Sequence, residues 1–225
     1  MDYAKRLAAE LSAPENHVAA AIALIDEGNT IPFIARYRKE ATGAMDDQLL
    51  RTLADRLEYL RGLDKRKEEV RTAIEAQGAL TEELSAKLES AATLAEVEDL
   101  YRPYKPKRKT RASVARARGL EPLAEALLAQ DAKLDVVAAA EGYINEEVPD
   151  AEAALAGARD IIAEQVSDDA RLRAELRRFY GAFGVVKSEA AKEEDSVYAQ
   201  YYDFSQPVSK IAGHRVLALD RGERE

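Results

Sequence analysis

The residues with the clearest chemical potential form one uninterrupted basic stretch, residues 102–118, which we call the basic segment. It contains eight Lys or Arg residues and no Asp or Glu: Arg102, Lys105, Lys107, Arg108, Lys109, Arg111, Arg116 and Arg118. Cations held close together neutralise phosphate groups, and Tyr101 and Tyr104 offer rings on which unpaired bases can stack. The basic segment is therefore our first candidate for nucleic-acid binding.

A competing interpretation keeps the same cations inside the protein. When the eight cations of the basic segment are set aside, 25 of the 33 Lys and Arg remain against 42 Asp and Glu, a net charge of −17. The basic segment could then fold onto carboxylates of its own chain as an internal, salt-bridged strap. The charge pattern alone leaves both interpretations open.

A second cationic motif consists of Arg36, Arg38 and Lys39 around Tyr37. Cations are common on the solvent face of an amphipathic helix even where no ligand binds, so a solvated surface is the simpler interpretation. We keep these three cations as secondary candidates for nucleic-acid contact.

The sequence offers little support for a catalytic or metal-binding protein. Its two histidines, His17 and His214, are far apart and lack the carboxylate spacing of a metal site. Acidic pairs such as Asp46-Asp47 occur where helix caps are expected. Phosphate-binding glycine motifs and the serine-nucleophile motif are absent from the sequence. We predict a module that is not an enzyme and has no catalytic residue, metal or cofactor.

The composition favours a helical protein of the cytoplasm. Hydrophobic residues make up 47% of the chain, charged residues 33% and aromatic residues 6%, a balance typical of helical globular proteins. The absence of Cys fits a reducing compartment. No stretch approaches the roughly 20 apolar residues of a membrane span, and the N-terminus does not resemble a signal peptide. We expect a cytoplasmic protein with no membrane partner.

Hydrophobic periodicity and capping residues predict an all-α fold, a multi-helix bundle. Helices are expected at 2–11, 15–27, 33–39, from Asp46-Asp47 to Gln77, at 84–90, 94–100, 112–118, 122–128, 131–141, 149–166 and 169–180, and from about 213 onward. The long fourth helix should continue through Gly62 with Leu53, Leu57 and Leu60 in its buried stripe. The conformation of residues 187–196 is left open.

Three motifs, in order along the chain, resemble one known family. Residues 30–40 read TIPFIARYRKE, residues 98–112 read EDLYRPYKPKRKTRA with GLEPL at 119–123, and residues 202–205 read YDFS with SKI at 209–211 and HRVLA at 214–218. Together they resemble the N-terminal region of the Tex-like family of bacterial transcription accessory proteins. The likeness runs from about residue 10 to the last residue.

The resemblance implies a larger, multidomain nucleic-acid-binding protein of which this chain is the truncated N-terminal part. Such proteins have helix-turn-helix-like elements in a helical N-terminal part, then a YqgF/RNase H-like domain, helix-hairpin-helix elements and a C-terminal S1 domain that chiefly binds RNA. We accordingly expect a Tex-like N-terminal helical region at 1–118, including the basic segment, and a second helical subregion at 119–196. Residues 197–225 should form a helical segment leading to an absent YqgF/RNase H-like domain.

Our leading hypothesis is a non-catalytic helical module that supports binding of RNA or DNA in transcription, with the basic segment as a strip that contacts phosphates. The mechanism would be charge neutralisation rather than base reading. The alternative is a scaffold that docks the other Tex-like domains or the transcription machinery, without direct contact to nucleic acid.

Overall fold

The structure is a computed structural model that describes residues 2–106, 109–191 and 196–224. Within these ranges it contains twelve α-helices and one two-stranded antiparallel sheet. The chain divides into two compact units, Met1–Tyr101 and Arg102–Glu225. The mostly helical fold predicted from the sequence is confirmed.

The first unit is built from helices whose starts are set by local capping. Its helices are α1 (Tyr3–Leu11), α2 (Glu15–Asp26), α3 (Ile31–Tyr37), α4 (Asp47–Glu75), α5 (Glu82–Ser90) and α6 (Leu94–Tyr101). Asp2, Asp46 and Thr81 accept hydrogen bonds from backbone N–H groups in the first turns of α1, α4 and α5. These N–H groups have no partner within the helix, so each cap stabilises its helix start.

The long helix α4 organises the core of the first unit. It runs through Gly62 without a break and packs against α1, α2, α3, α5 and α6. Its buried side chains recur at helical spacing: Leu50, Leu53, Leu57, Leu60, Leu63, Val70 and Ile74. Leu7, Val18 and Ile34 from the first three helices pack onto this stripe. The predicted apolar stripe is thus the surface that holds α3 in place.

The second unit begins with the basic segment. A short 3-10 turn at Arg102–Tyr104 is followed by α7 (Arg111–Ala117), α8 (Glu121–Leu128), α9 (Val136–Glu141), α10 (Ala151–Asp168), α11 (Ala170–Phe183), β1 (Val185–Glu189), β2 (Asp203–Pro207) and α12 (Gly213–Arg224). Of the described cations of the basic segment, Arg102 lies in the 3-10 turn, and Arg111 and Arg116 lie in α7.

Helix α10 forms the centre of the second unit and contacts α7, α8 and α9. Small residues let the helices approach closely: a Cβ atom added to Gly157 would lie 2.4 Å from Leu120 Cδ1 and 3.3 Å from Ala115 Cβ. Ala154, Ala158 and Ile161 of α10 are buried in the same core. This close packing fixes the side of α7 that faces the carboxylates of α10.

The sheet is the main departure from the expected helices. Strands β1 and β2 pair antiparallel, with Val185 opposite Pro207 and Glu189 opposite Asp203. Each strand has only five residues, and charged residues interrupt its apolar pattern, so the sequence does not predict it. Helix α9 starts only at Val136, because Asp135 caps it, whereas the periodicity predicts a start near 131. The division at 118/119 and 196/197 stays a prediction.

Candidate nucleic-acid interface

The first cation of the basic segment is held by a carboxylate of the same unit. Arg102 Nε donates a hydrogen bond to Asp168 Oδ1 at 2.7 Å. Asp168 lies at the C-terminal end of α10 and its side chain is only 11% exposed. A carboxylate this buried needs a charged partner, because its water has been removed. Arg102 therefore stabilises the fold.

Arg116 is held more firmly still. Its guanidinium contacts Glu164 Oε1 of α10 at 2.6 Å and Glu121 Oε1 of α8 at 3.2 Å. The hydrogen bond to Glu164 raises the pKa of Arg116 above its ordinary value. Thr110, which caps α7 through a capping box with Ser113, donates its hydroxyl to the other oxygen of Glu164 at 3.0 Å. Glu164 thus ties both ends of α7 to α10.

Other cations of the basic segment face solvent. The Arg111 side chain is 87% exposed, and its Nε lies 3.5 Å from Asp160 Oδ1. Lys109 is exposed and has no carboxylate partner among the residues that the structure describes. Arg118 Nε lies 3.9 Å from Glu147 Oε2, and both side chains are exposed. Lys105 is exposed too. The pairs that do form here are long or solvated, and such pairs hold a side chain weakly.

Two predicted residues, Lys107 and Arg108, lie outside the described residues. For the remainder, the two interpretations of the basic segment apply to different residues. Arg102 and Arg116 contact carboxylates of α10, as the strap interpretation expects. Lys109 and Arg111 present their charge to solvent, as a phosphate-contacting strip requires. The sequence pattern could not separate the paired cations from the solvent-facing ones, because Glu164 and Asp168 are 48 and 66 residues away from Arg116 and Arg102 in the chain.

The second cationic motif lies at the C-terminal end of α3. Arg36, Arg38 and Lys39 are exposed, and Tyr37 between them is 60% exposed. The Arg38 guanidinium lies 5.2 Å from the ring centre of Phe33, and the Phe33 and Tyr37 ring centres are 5.3 Å apart. We call Arg36, Tyr37, Arg38 and Lys39 the α3 patch.

The backbone beneath the α3 patch is fixed by a tight turn. The Arg38 carbonyl accepts hydrogen bonds from the backbone N–H and the hydroxyl of Thr42, both at 3.1 Å, and Thr42 is fully buried. The Lys39 carbonyl accepts from Ala44 N at 2.7 Å. Gly43 has φ +63°, and a Cβ there would lie 2.2 Å from His17 Nδ1. The turn therefore requires glycine at this position.

The α3 patch differs from the other arginines of its unit. Six arginines of the first unit form ion pairs with carboxylates: Arg6, Arg51, Arg56, Arg61, Arg66 and Arg71. Among the residues described, Arg36, Arg38 and Lys39 have no carboxylate within ion-pair distance, although Glu40 follows directly in the sequence. Their charges are available to a ligand. The motif that the sequence ranks second thus carries the freer cations, and Tyr37 within it was not among the predicted site residues.

No arrangement for metal chemistry appears in the described part of the chain, where His, Asp and Glu form no group of three or more that could hold a metal ion. None of the described helices is both long enough and apolar enough to cross a membrane.

The described residues form a mostly helical chain of two units with two exposed cationic surfaces. Comparison with known families identifies the class of protein. The family model for the Tex-like protein N-terminal domain matches residues 1–75, and the model described as Tex central region-like matches residues 131–225. The chain belongs to the Tex-like family, as the three motifs predict. The basic segment lies between the two matched ranges.

Individual relatives agree with this membership. The chain is 48% identical over 228 residues to the transcriptional accessory protein Tex of Neisseria gonorrhoeae, covering 100% of this chain and 30% of that protein. It is 47% identical over 225 residues to protein tex of Bordetella pertussis, covering 98% and 28%. It is 31% identical over 215 residues to human S1 RNA-binding domain-containing protein 1, covering 90% and 21%. The chain thus spans less than a third of the length of these relatives.

Proposed function

We propose that this chain is a non-catalytic helical module of a cytoplasmic Tex-like transcription accessory protein and that it supports binding of RNA or DNA. The observation that carries the proposal is the set of solvent-facing cations that have either no carboxylate partner among the described residues or, for Arg111, only a long pair with Asp160. They are Lys109 and Arg111 in the second unit and Arg36, Arg38 and Lys39 in the first. A cation already held by a buried carboxylate gains little from phosphate, whereas a solvated one loses only weak contacts.

The basic segment then has a divided role. Arg102 and Arg116 fix the loop and α7 against α10 through Asp168 and Glu164. The solvent-facing cations Lys109 and Arg111, carried on this fixed frame, then contact phosphates. Such contacts position a nucleic acid without reading its bases. Binding should therefore depend strongly on salt and weakly on sequence.

Salt dependence tests this function. Binding to duplex DNA is measured by fluorescence anisotropy at about 50 mM and about 200 mM salt, and the log–log slope should be about −0.9 for each phosphate neutralised. The test variant replaces four cations of the basic segment by Ala: Lys107, Arg108, Lys109 and Arg111. It should bind more weakly and with a shallower slope.

A matched control removes the same amount of charge elsewhere. It replaces four exposed lysines by Ala: Lys5, Lys65, Lys133 and Lys187. Both variants lose four positive charges, so a general effect of net charge would weaken them equally. A larger loss for the basic-segment variant supports local contact. If the folded, unaltered chain binds no nucleic acid at low salt, the proposal is wrong.

A second candidate function, a docking module for other Tex-like domains or for the transcription machinery, is favoured by α11. This helix exposes Leu176, Phe179, Tyr180 and Phe183, with Phe183 73% exposed. Apolar surface of this kind commonly marks an interface. Replacing Phe179 and Phe183 by Ser should abolish such docking and leave the salt slope of nucleic-acid binding unchanged.

A further inference from the structure

Tyr37 in the α3 patch is a largely exposed aromatic side chain. Its ring contacts Phe33 at a tilted angle of 45°, and 60% of the side chain is exposed. Its hydroxyl has no hydrogen-bond partner among the described residues. The exposed part of the ring contributes no hydrophobic stabilisation to this seven-residue helix, because apolar surface is stabilising only when it is removed from water.

Among the described residues, the other tyrosines of the first unit make contacts within the fold that Tyr37 lacks. Each lies under an arginine: Tyr3 under Arg61, Tyr59 under Arg56 and Tyr101 under Arg66, at 4.8 to 5.7 Å. Tyr3 also donates its hydroxyl to Asp64, and the Tyr59 hydroxyl accepts from Leu94 N. Tyr37, by contrast, has an arginine on each side in sequence, but none of the described arginines lies over its ring, and Arg38 lies over Phe33 instead.

The α3 patch is also held in one backbone geometry. The Arg38 and Lys39 carbonyls are both bonded into the turn that ends at Met45, and Ile34, Thr42 and Met45 are buried beneath it. A ligand that binds the patch therefore has to order side chains only, not the chain itself. This lowers the entropy lost on binding.

We propose that the α3 patch is a binding site for single-stranded nucleic acid, in which Tyr37 stacks on an unpaired base while Arg36, Arg38 and Lys39 contact the flanking phosphates. The inference rests on the proposed function and adds the class of ligand. In a duplex, both faces of each base are covered by neighbouring bases, so an exposed ring can stack only where the strand is unpaired. Stacking surfaces beside a positively charged surface are the usual means of holding single strands.

The test compares strands of one sequence in single-stranded and duplex form. Fluorescein-labelled 12-nucleotide DNA and RNA, each alone and annealed to its complement, are titrated with the full 225-residue chain and with its Tyr37→Ala and Tyr37→Phe variants. Loss of one base stack weakens binding about 5- to 150-fold. Tyr37→Ala should show a loss of this size for the single strands and less than a twofold change for the duplexes. Tyr37→Phe should bind like the unaltered chain.

A matched control is Tyr180→Ala, which removes an equally exposed tyrosine from α11 and should leave binding unchanged. Circular dichroism should show all variants folded, because both tyrosines are exposed. The inference is overturned if Tyr37→Ala binds single strands normally, if it loses equal affinity for duplexes, or if Tyr180→Ala loses as much. In those cases salt-dependent binding by the unaltered chain leaves the proposed function intact. Absence of any binding by the unaltered chain overturns both.

Discussion

Arg116 and Arg111 lie five positions apart in the basic segment, and replacing each by Met separates the two roles that we assign to it. Met keeps the apolar stem and removes the charge. Arg116→Met removes the cation that contacts Glu164, a carboxylate whose side chain is 15% exposed and which also accepts a hydrogen bond from the Thr110 hydroxyl. Arg111→Met removes a side chain that is 87% exposed.

The structure gives the expected magnitudes. A hydrogen bond to a charged group contributes about 1.5–3 kcal/mol, and the exposed pair with Glu121 contributes about 0.2–1 kcal/mol. Because the Arg116 side chain is 31% exposed, water offsets part of this, and we expect a loss of about 2 kcal/mol in the free energy of unfolding. For Arg111 we expect less than about 0.5 kcal/mol.

Thermal unfolding and nucleic-acid binding are then measured on the same samples. A loss of about 2 kcal/mol should lower the Tm of Arg116→Met by about 4–8 °C in a chain of this size. Arg111→Met should unfold like the unaltered chain and have a shallower salt slope. The double variant Arg116→Met/Glu164→Met should recover part of the lost stability, because the largely buried carboxylate is removed together with its cation. Equal Tm values for the two single variants would refute the assignment of a structural role to Arg116 and a solvent-facing role to Arg111.

Two further predictions concern the first unit. The hydrogen bond from Arg56 lowers the pKa of Glu10 from 4.5 to about 2; a depressed folded-state pKa gives stability that is present above pH 4.5 and is lost as the pH falls toward 2. Urea unfolding measures how far the free energy of unfolding falls between pH 6 and pH 2.5. This fall should be about 1 kcal/mol smaller for Glu10→Gln than for the unaltered chain, a figure already reduced because the pair is partly exposed. An identical fall in both proteins would contradict a stabilising pair between Arg56 and Glu10. Gly43→Ala should lower the free energy of unfolding by about 2 kcal/mol or more, because of the positive φ and the overlap of the new Cβ atom with His17. In a double-mutant cycle, His17→Ala should remove the part of this loss that comes from the overlap and leave the part that comes from φ. Additive losses in the cycle would argue against the contact between residue 43 and His17.

Helix positions were largely predictable because their signals are local. Asp46 and Thr81 accept hydrogen bonds from N–H groups three residues ahead, so the cap and its partner are read from one short stretch. The stripe of α4 likewise follows from the spacing of its leucines. The strands β1 and β2 were not predictable in this way, because each is stabilised by pairing with residues 14 to 22 positions away in the chain.

The candidate site also depends on residues that are far apart in the chain, and this part of it could not be predicted from local patterns. Composition identified two cationic motifs but ranked them by their number of charges. The structure ranks the described cations by what surrounds them: Arg116 has Glu164 at 2.6 Å, whereas Arg36 has no carboxylate within ion-pair distance. Exposure of Tyr37 is equally a tertiary property, since Tyr59 and Tyr101 have the same side chain and lie under arginines.

The sequence by itself determined the helical class, the main helix starts and the membership of the Tex-like family, because periodicity, caps and ordered motifs are all carried by residues close together in the chain. Only the tertiary structure decided which cations are free. Whether an arginine meets phosphate or a carboxylate of its own protein depends on the distance to groups on other elements, and electrostatic attraction falls off with that distance and with exposure to water. The packing of α7 on α10 sets these distances in the second unit, and the turn after α3 sets them in the first.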